Sequence, residues 1–339
     1  MISRVRLQNF RKHEDLNVTF QPGTTIITGS NGSGKTSLIE AIHIALQGKS
    51  WRSDFTEMIK NDQNVDWWRL DVEFQDGEKR TVKFIDSKKS FVINDQSYAR
   101  LPTRLKKPVI LFEPSDLQLL YGSPNRRRTF FDRFITQVEP THATNLRRFE
   151  RVLSQRNNLL KNGAARDDLF VWDLQFADLA EKLIAARQNW LKQIAARVTD
   201  HYQSIADQPD QITLSYSPSH KTRQHILAQL DEEYAMRLPF TRSGPQTHDI
   251  GIKINHHDAK TTASRGENRT IIFAILYSMV ELANQELGAN LYLLFDDIDS
   301  ELDSVHQKNL YLNTIFKDNY LFATTIATKH RAANRLHFD

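Results

Sequence analysis

The chain has 339 residues, enough for one large domain or two ordinary ones with a substantial buried core. Its composition, 40% hydrophobic and 25% charged, is typical of a globular protein. No apolar run approaches the roughly 18 to 20 residues that a membrane-spanning helix needs. The absence of cysteine excludes disulfides, cysteine-ligated zinc and a cysteine nucleophile. Because the N-terminus also lacks the apolar core of a signal peptide, these features predict a cytoplasmic protein.

The net charge of +4 hides an uneven distribution. Residues 104–166 contain 13 lysines and arginines against 5 aspartates and glutamates, so the remainder of the chain is mildly acidic. A basic block of this kind indicates a surface that faces a polyanion. Charge alone leaves a second interpretation equally open, in which these residues are the solvated faces of arginine-rich helices.

The N-terminal third has the pattern of strands. Alternating apolar residues predict two strands within residues 2–20, and the β-branched run TTIIT at 24–28 predicts a third after the Pro22-Gly23 turn. Apolar residues at helical spacing then predict a helix over residues 38–46, ended by Gly48. Residues 68–98 alternate around an Asp76-Gly77 turn, which predicts a β-meander.

From Pro124 the pattern becomes helical. The longest apolar stripe predicts a helix of more than 25 residues packed against another around residues 141–161, and it comprises Trp172, Phe176, Leu179, Leu183, Ala186, Trp190, Ile194 and Val198. The polar, proline-containing segment 207–224 predicts a loop. Strand and helix patterns return after about residue 240. We therefore predict the first part of a head at residues 1–123, a helical lobe at 124–240 and the second part of the head at 241–339.

Residues 29–36 satisfy the phosphate-loop pattern G-x-x-x-x-G-K-[ST]. Glycines allow successive backbone N–H groups to surround a phosphate chain, and the following helix directs its positive end at the anion. In this pattern the lysine reaches the β- and γ-phosphates, and the threonine hydroxyl is a ligand of Mg²⁺. The predicted nucleotide-binding residues are Gly29, Ser30, Asn31, Gly32, Ser33, Gly34, Lys35, Thr36 and Ser37. The alternative is a glycine turn that binds nothing.

A phosphate loop also needs an acidic partner on the metal side. The apolar run LYLLF at residues 291–295 ends in Asp296 and Asp297. We predict that Asp296 holds Mg²⁺ together with Thr36, and that Asp297 orients or deprotonates the attacking water. An acidic strand end that faces solvent is the alternative. About 255 residues separate the two motifs, so the chain must leave the nucleotide-binding core and return to it.

Further motifs resemble those of known ATPases. The run SRGENR at residues 264–269, followed by a helix, and the run SELD at 300–303 resemble the signature and the D-loop of ABC-type ATPases. The tripeptide NFR at 9–11 resembles the N-terminal motif of the chromosome-maintenance ATPases, the branch that includes the SMC proteins. Within that branch, four segments resemble motifs of the RecF family: FEPSDL (112–117), GSPNRRR (122–128), RNNLL (156–160) and GP (244–245). This likeness covers essentially the whole chain.

The resemblance implies an α/β fold, an ABC-type head with a β-meander subdomain and an inserted helical second lobe. It also implies a homodimer driven by ATP and Mg²⁺, with weak DNA-stimulated ATPase activity. Each nucleotide would lie between the phosphate loop of one subunit and the signature of the other. The signature residues are Ser264, Arg265, Gly266 and Glu267, with Asp303 at the dimer seam and Arg11 near the nucleotide. The family binds duplex or gapped DNA and works with RecO and RecR to place recombinase on it.

The sequence departs from the family pattern at two places. Glu267 occupies the position at which the signature usually has glutamine, which adds a negative charge near phosphate. Where the family commonly has Gly-Pro-His-Arg, residues 244–247 read GPQT, and His248 comes one position late. We expect the first change to weaken binding across the dimer, unless Asn268 and Arg269 compensate.

The basic block contains two groups of candidate DNA contacts. Arg126, Arg127 and Arg128 follow a predicted turn, and Arg147, Arg148 and Arg151 share one helix face. Arginine suits phosphate contacts, and no alternation of aromatic and basic residues suggests stacking on single strands. For any single arginine, an internal ion pair is the more common role.

Two other functions remain open on the residues alone. The ATPase subunit of a membrane transporter would share the phosphate loop, but glutamate would be expected at Asp297 and a histidine a few tens of residues later. His330 keeps that alternative open, and copurification with a membrane protein would favour it. A small-molecule phosphotransferase would instead turn over as a monomer without a response to DNA.

Overall fold

The computed structural model describes residues 1–60, 65–217, 222–297, 318–326 and 334–338. The chain forms two compact units. We call residues 1–114 with 288–339 the head unit, and residues 115–287 the helical unit. No helix in the described ranges has the length and apolar character needed to cross a membrane.

The head unit contains an antiparallel sheet of six strands, in the order β2-β1-β4-β5-β6-β7. Its strands are β1 (Ile2–Phe10), β2 (His13–Thr19), β4 (Trp68–Phe74), β5 (Lys79–Ile85), β6 (Lys88–Ile93) and β7 (Gln96–Tyr98). Alternate residues of β4 and β5 are buried on one face, as expected for an antiparallel sheet with one covered side. The predicted N-terminal strands and β-meander are confirmed.

A second sheet of the head unit is parallel, in the order β14-β3-β13-β12-β8. It comprises β3 (Thr25–Gly29), β8 (Val109–Phe112), β12 (Tyr292–Phe295), β13 (Tyr320–Thr325) and β14 (Asn334–Phe338). Strands β3, β8 and β12 are buried at every residue. Continuous apolar runs such as these are expected where both faces of a parallel sheet are covered.

Helix α1 (Lys35–Gln47) packs against strands of both sheets. It is buried at nearly every position, so it lies inside one apolar core that the two sheets share. The aromatic part of this core includes Trp68, which stacks on Phe55 and donates its indole N–H to the Phe55 carbonyl at 2.9 Å. The helix that follows the phosphate loop is therefore held rigidly.

The helical unit contains most of the helices. They are α2 (Pro124–Val138), α3 (Pro140–Lys161), α4 (Arg166–Ala206), α5 (Arg223–Ala235), α6 (Ala259–Thr262) and α7 (Arg265–Leu287). The 41-residue α4 packs against α3, α5 and α7, which confirms the predicted long helix and its neighbour. Buried ion pairs join these helices, among them Arg156 with Asp173 at 2.6 Å and Arg187 with Asp132 at 2.7 Å.

The predicted loop at residues 207–224 is wrong in its centre. Strand β9 (Ile212–Ser217) pairs antiparallel with β10 (Asp249–Ile254), and β11 (His257–Asp258) completes a three-stranded sheet. Flanking prolines favoured a loop, whereas the strand is stabilised by a partner that is distant in sequence. The division into units also differs from our predicted domains, because residues 241–287 belong to the helical unit. The packing of α7 against α4 accounts for this.

Candidate nucleotide-binding site

The phosphate loop connects β3 to α1, as predicted. Gly32 and Gly34 have φ angles of 75° and 99°, which favour glycine over other residues. Gly34 directly precedes α1. A Cβ atom at Gly34 would also overlap the imidazole of His13. Backbone conformation and lack of space therefore both require glycine at this position.

Two polar side chains of the loop are directed into it. The Nζ of Lys35 donates hydrogen bonds to the carbonyl oxygens of Gly29 and Ser30, at 2.7 and 2.8 Å. Burial lowers the pKa of Lys35, although Asp297 and Asp296 oppose that shift. The buried hydroxyl of Ser33 has no hydrogen-bond partner within the described residues. A cradle of this kind, with one ammonium and one hydroxyl, fits the phosphates of a nucleotide.

The structure brings the two predicted metal ligands together across the parallel sheet. The Thr36 hydroxyl donates to Asp296 Oδ1 at 2.9 Å, although 260 positions separate the two residues. The Thr324 hydroxyl, at the end of β13, donates to the same oxygen at 2.7 Å. Burial raises the pKa of Asp296, and the hydrogen bonds from Thr324 and Thr36 partly offset this.

Asp297 follows in a left-handed backbone conformation, with φ of 48°. Its backbone N–H donates to the Thr324 hydroxyl at 2.7 Å. Asp297, Asp296, Lys35 and Thr36 line one cavity of the head unit. The Thr324 hydroxyl therefore contacts both the carboxylate of Asp296 and the backbone of Asp297.

A single buried carboxylate organises the basic side of this cavity. Glu40, on α1 one turn after Thr36, is fully buried and accepts hydrogen bonds from Arg11 at 2.9 and 3.0 Å and from Arg52 at 2.8 Å. Burial raises the pKa of Glu40, but the bonds from Arg11, Arg52 and Ser50 outweigh it and leave the pKa below its usual value. Both arginines line the cavity.

The turn between β1 and β2 contacts the phosphate loop directly. Lys12 Nζ donates to the Gly32 carbonyl at 2.8 Å, and His13 Nε2 lies 3.2 Å from the Gly34 carbonyl. Of these residues, only Arg11 was predicted from the sequence; Lys12, His13, Glu40 and Arg52 were missed. The basic run at residues 11–13 was a visible signal for the first two.

The site has few protein ligands for a metal. In the described ranges, no group of three or more His, Asp or Glu side chains could hold an ion. Mg²⁺ is commonly held by one or two protein oxygens together with water and substrate phosphates. The pair of Thr36 and Asp296 fits that mode.

The signature residues begin α7 in the helical unit. Ser264 and Glu267 form a reciprocal cap, in which the Glu267 carboxylate accepts from the Ser264 backbone at 2.7 Å and the Ser264 hydroxyl accepts from the Glu267 backbone at 3.2 Å. These bonds lower the pKa of Glu267. Ser264, Arg265 and Gly266 are exposed. Asp303 and the rest of the SELD run lie outside the described residues, as does His330.

The GPQT segment is tied to its own surroundings. The Gln246 amide donates to the Ser243 carbonyl at 3.1 Å, and the Thr247 hydroxyl donates to the Gly244 carbonyl at 2.9 Å. Buried Arg187 donates to the Pro245 carbonyl at 2.7 Å. These contacts give the segment a role in the packing of the helical unit.

The candidate DNA-binding arginines differ in their surroundings. Arg127 is buried and donates to both carboxylate oxygens of Asp249 at 2.8 Å, so we no longer assign it to DNA. Arg126 and Arg128 are half-buried and donate to the carbonyls of Ser115 and His248. Three residues are exposed on α3, and we call them the α3 arginines: Arg147, Arg148 and Arg151.

Comparisons with known proteins identify the family. A family model described as AAA domain matches residues 4–233. DNA replication and repair protein RecF of Alkaliphilus oremlandii is 30% identical over 344 residues, covering 97% of this chain and 94% of that protein. The protein of the same name from Staphylococcus carnosus is 31% identical over 349 residues, covering 97% of this chain and 94% of that protein.

Solved structures support the predicted fold. The recombination mediator protein RecF with ATP superposes with a TM-score of 0.83 at 24% identity, covering 98% of this chain and 93% of that one. An Smc head bound to the C-winged helix domain of ScpA gives a TM-score of 0.57 at 15% identity, covering 96% and 90%. The predicted ABC-type head fold is thus confirmed. The chain belongs to the RecF family of DNA replication and repair proteins.

Proposed function

We propose that this chain is an ATP-switched DNA-binding protein of recombinational repair and replication-fork maintenance. The observation that carries the proposal is the convergence of Lys35, Thr36, Asp296 and Asp297 on one cavity, with Thr36 and Asp296 in contact at 2.9 Å. The ATP in a structurally similar RecF protein supports the choice of nucleotide. The cytoplasm is its proposed location.

The cavity supports specific roles for its residues. When ATP binds, Lys35 exchanges its two carbonyl partners for phosphate oxygens, and the loop N–H groups surround the phosphates. Thr36 and Asp296 would hold Mg²⁺, which would supply positive charge against the charge that develops on the phosphates. Asp297 orients the attacking water. Because aspartate is short and assembly precedes hydrolysis, we expect weak ATPase activity. Stimulation of that activity by DNA is proposed from the resemblance to the RecF family.

The signature residues support an ATP-driven homodimer. Ser264, Arg265 and Gly266 are exposed at the start of a 23-residue helix, and a Cβ at Gly266 would meet nothing within 4 Å. An exposed helix start suits a phosphate brought by a second subunit. We therefore retain the proposal that each nucleotide lies between the loop of one copy and the signature of the other. Asp303 at the seam and Arg11 near the nucleotide remain part of it.

The α3 arginines support contact with the DNA backbone, because they are exposed and have no carboxylate partner within the described residues. Arg126 and Arg128 keep a secondary place in this proposal. Duplex or gapped DNA is the proposed ligand, and mediators of the RecO and RecR type are the proposed partners. The family name supports the repair role, and the RecFOR pathway named for a similar structure supports the partners.

Sedimentation with and without ATP tests the switch. Wild type is expected to be monomeric alone and dimeric with ATP and Mg²⁺, whereas Lys35→Ala is expected to stay monomeric. Lys182→Ala is a suitable control, since Lys182 is exposed on α4 and lies outside the nucleotide cavity. An unchanged mass with ATP, together with tight DNA binding, would contradict the proposed mechanism.

A further inference from the structure

A second concentration of positive charge lies in the head unit, in a part of the chain that the proposed DNA contacts do not use. Residues 79–107 contain 9 lysines and arginines against 2 aspartates. Two of the nine have internal roles. Arg80 is buried and donates to the carbonyls of Ala45 and Leu105, and Lys107 lies within 4 Å of Asp76 and Glu78.

Five of the others have neither an ion pair nor a side-chain hydrogen bond within the described residues. We call these five the basic edge: Lys79, Lys83, Lys88, Arg100 and Arg104. All but the half-exposed Lys83 are exposed. Charged side chains that lack an internal partner remain available to an external one.

Strand register places three of the five on the same face of the sheet. Arg80, Val82 and Phe84 of β5 are buried, so Lys79 and Lys83 project from the opposite face. Lys83 pairs with Ser90 of β6, which makes Lys88 its diagonal neighbour, about 7 to 8 Å away. Arg100 and Arg104 follow directly after β7, the edge strand.

The same face provides an internal comparison at its other end. Arg4 lies 3.4 Å from Glu73, Arg6 lies 2.6 Å from Asp15, and Arg69 lies 2.8 Å from Asp71. Direct ion pairs thus neutralise the β1–β4 half of the face. On the β5–β6 half, Lys79 lies across from Glu73 in the register without an ion pair to it, and Lys83 and Lys88 have no ion pair within the described residues. Lysine is depleted at protein–protein interfaces, which have aromatic centres, but it is a common phosphate contact. Ile85 is the one large apolar side chain exposed on β5.

We propose that the basic edge binds the phosphate backbone of DNA, as a second contact surface in addition to the α3 arginines. The inference rests on the proposed function, since it assumes that the chain binds DNA. It specifies contacts to phosphates, because the five side chains are all cationic and none is the aromatic platform on which single-stranded bases stack. Binding through this surface depends strongly on salt, since each phosphate contact releases counterions.

The test compares two variants that lose the same charge. In one, Lys79, Lys83 and Lys88 are changed to Gln. In the matched control, Arg4, Arg6 and Arg69 are changed to Gln. The affinity of the full chain for a duplex is measured with ATP and Mg²⁺ over a range of salt concentrations. For the lysine variant, the slope of log affinity against log salt concentration is expected to be smaller in magnitude by about 2 to 3, because each lost phosphate contact removes about 0.9. The control variant is expected to change the slope by less than about 1.

The outcomes separate the two proposals. Equal salt slopes for wild type and the lysine variant would overturn DNA binding by the basic edge while the proposed function stands. Equal losses of slope in the two variants would also overturn it, because they would show an effect of net charge alone. A wild type that does not bind DNA would remove the proposed function and this inference together. Thermal unfolding of the lysine variant without DNA should match wild type, because no internal partner is lost.

Discussion

Substitution of Gly34 gives a sharp test of how the phosphate loop is held. Gly34→Ala places a methyl group at φ of 99° and against the buried ring of His13. The left-handed backbone costs an alanine roughly 1 to 2 kcal/mol. Overlap with a packed side chain costs about 1 to 3 kcal/mol more. Together we expect a loss of about 2 to 5 kcal/mol in the free energy of unfolding of the head unit.

Gly32→Ala is the matched control, because Gly32 has a similar φ of 75° and a Cβ there would meet nothing within 4 Å. Gly32→Ala should therefore lower the free energy of unfolding only by the roughly 1 to 2 kcal/mol that the left-handed backbone costs an alanine. Denaturant unfolding without nucleotide, followed by tryptophan fluorescence, measures both variants. The double change of His13 and Gly34 to Ala should recover about 1 to 3 kcal/mol relative to the sum of the single changes. If Gly34→Ala and Gly32→Ala destabilise equally, His13 does not press on the loop.

Three further predictions concern the helical unit. Asp132→Asn should destabilise it by about 3 to 5 kcal/mol at pH 7, because buried Arg187 loses its partner. Burial raises the pKa of Asp132 but hydrogen bonds from His142 and Arg187 hold it below 3.8. The difference between wild type and variant in thermal unfolding should therefore persist above pH 3.8 and shrink as pH falls below it; a difference that grows in acid would contradict this. Glu267→Gln should keep the helix cap and remove a negative charge beside the incoming phosphate. The ATP-dependent dimer should therefore bind about 3- to 10-fold more tightly, as measured by sedimentation. A weaker dimer would show that the carboxylate is required. Changing the α3 arginines to Gln should reduce the salt slope of DNA affinity by about 2 to 3, and an unchanged slope would remove them from the DNA surface.

The sequence predicted those parts of the fold that follow local patterns. Alternation predicted the β-meander, and the stripe along α4 predicted its length and its packing on α3. Strand β9 was missed because its stability comes from β10, whose residues begin more than 30 positions later. Propensity is weak for a short strand flanked by prolines, and pairing with a distant strand overrides it.

The candidate site was predicted in part for a similar reason. Motifs identified Lys35, Thr36 and Asp296, but motifs do not give the order of strands. Strand β13 lies between β3 and β12, so Thr324 occupies the space between the loop and the acidic pair and binds both carboxylate residues. A threonine at a strand end has no distinctive sequence signal.

Glu40 shows how the basic side of the cavity can be held before any ligand arrives. A fully buried carboxylate is costly unless it is paired, and here it is paired with Arg11 and Arg52 together. The two guanidinium groups are therefore held in place by folding, since moving either one away would leave the buried carboxylate with less compensating charge. One carboxylate does not neutralise two arginines, so the cluster keeps a positive charge at the rim of the cavity. Under the proposed function, an entering phosphate would meet cations that are already oriented, and less conformational entropy would be lost on binding than with freely moving side chains.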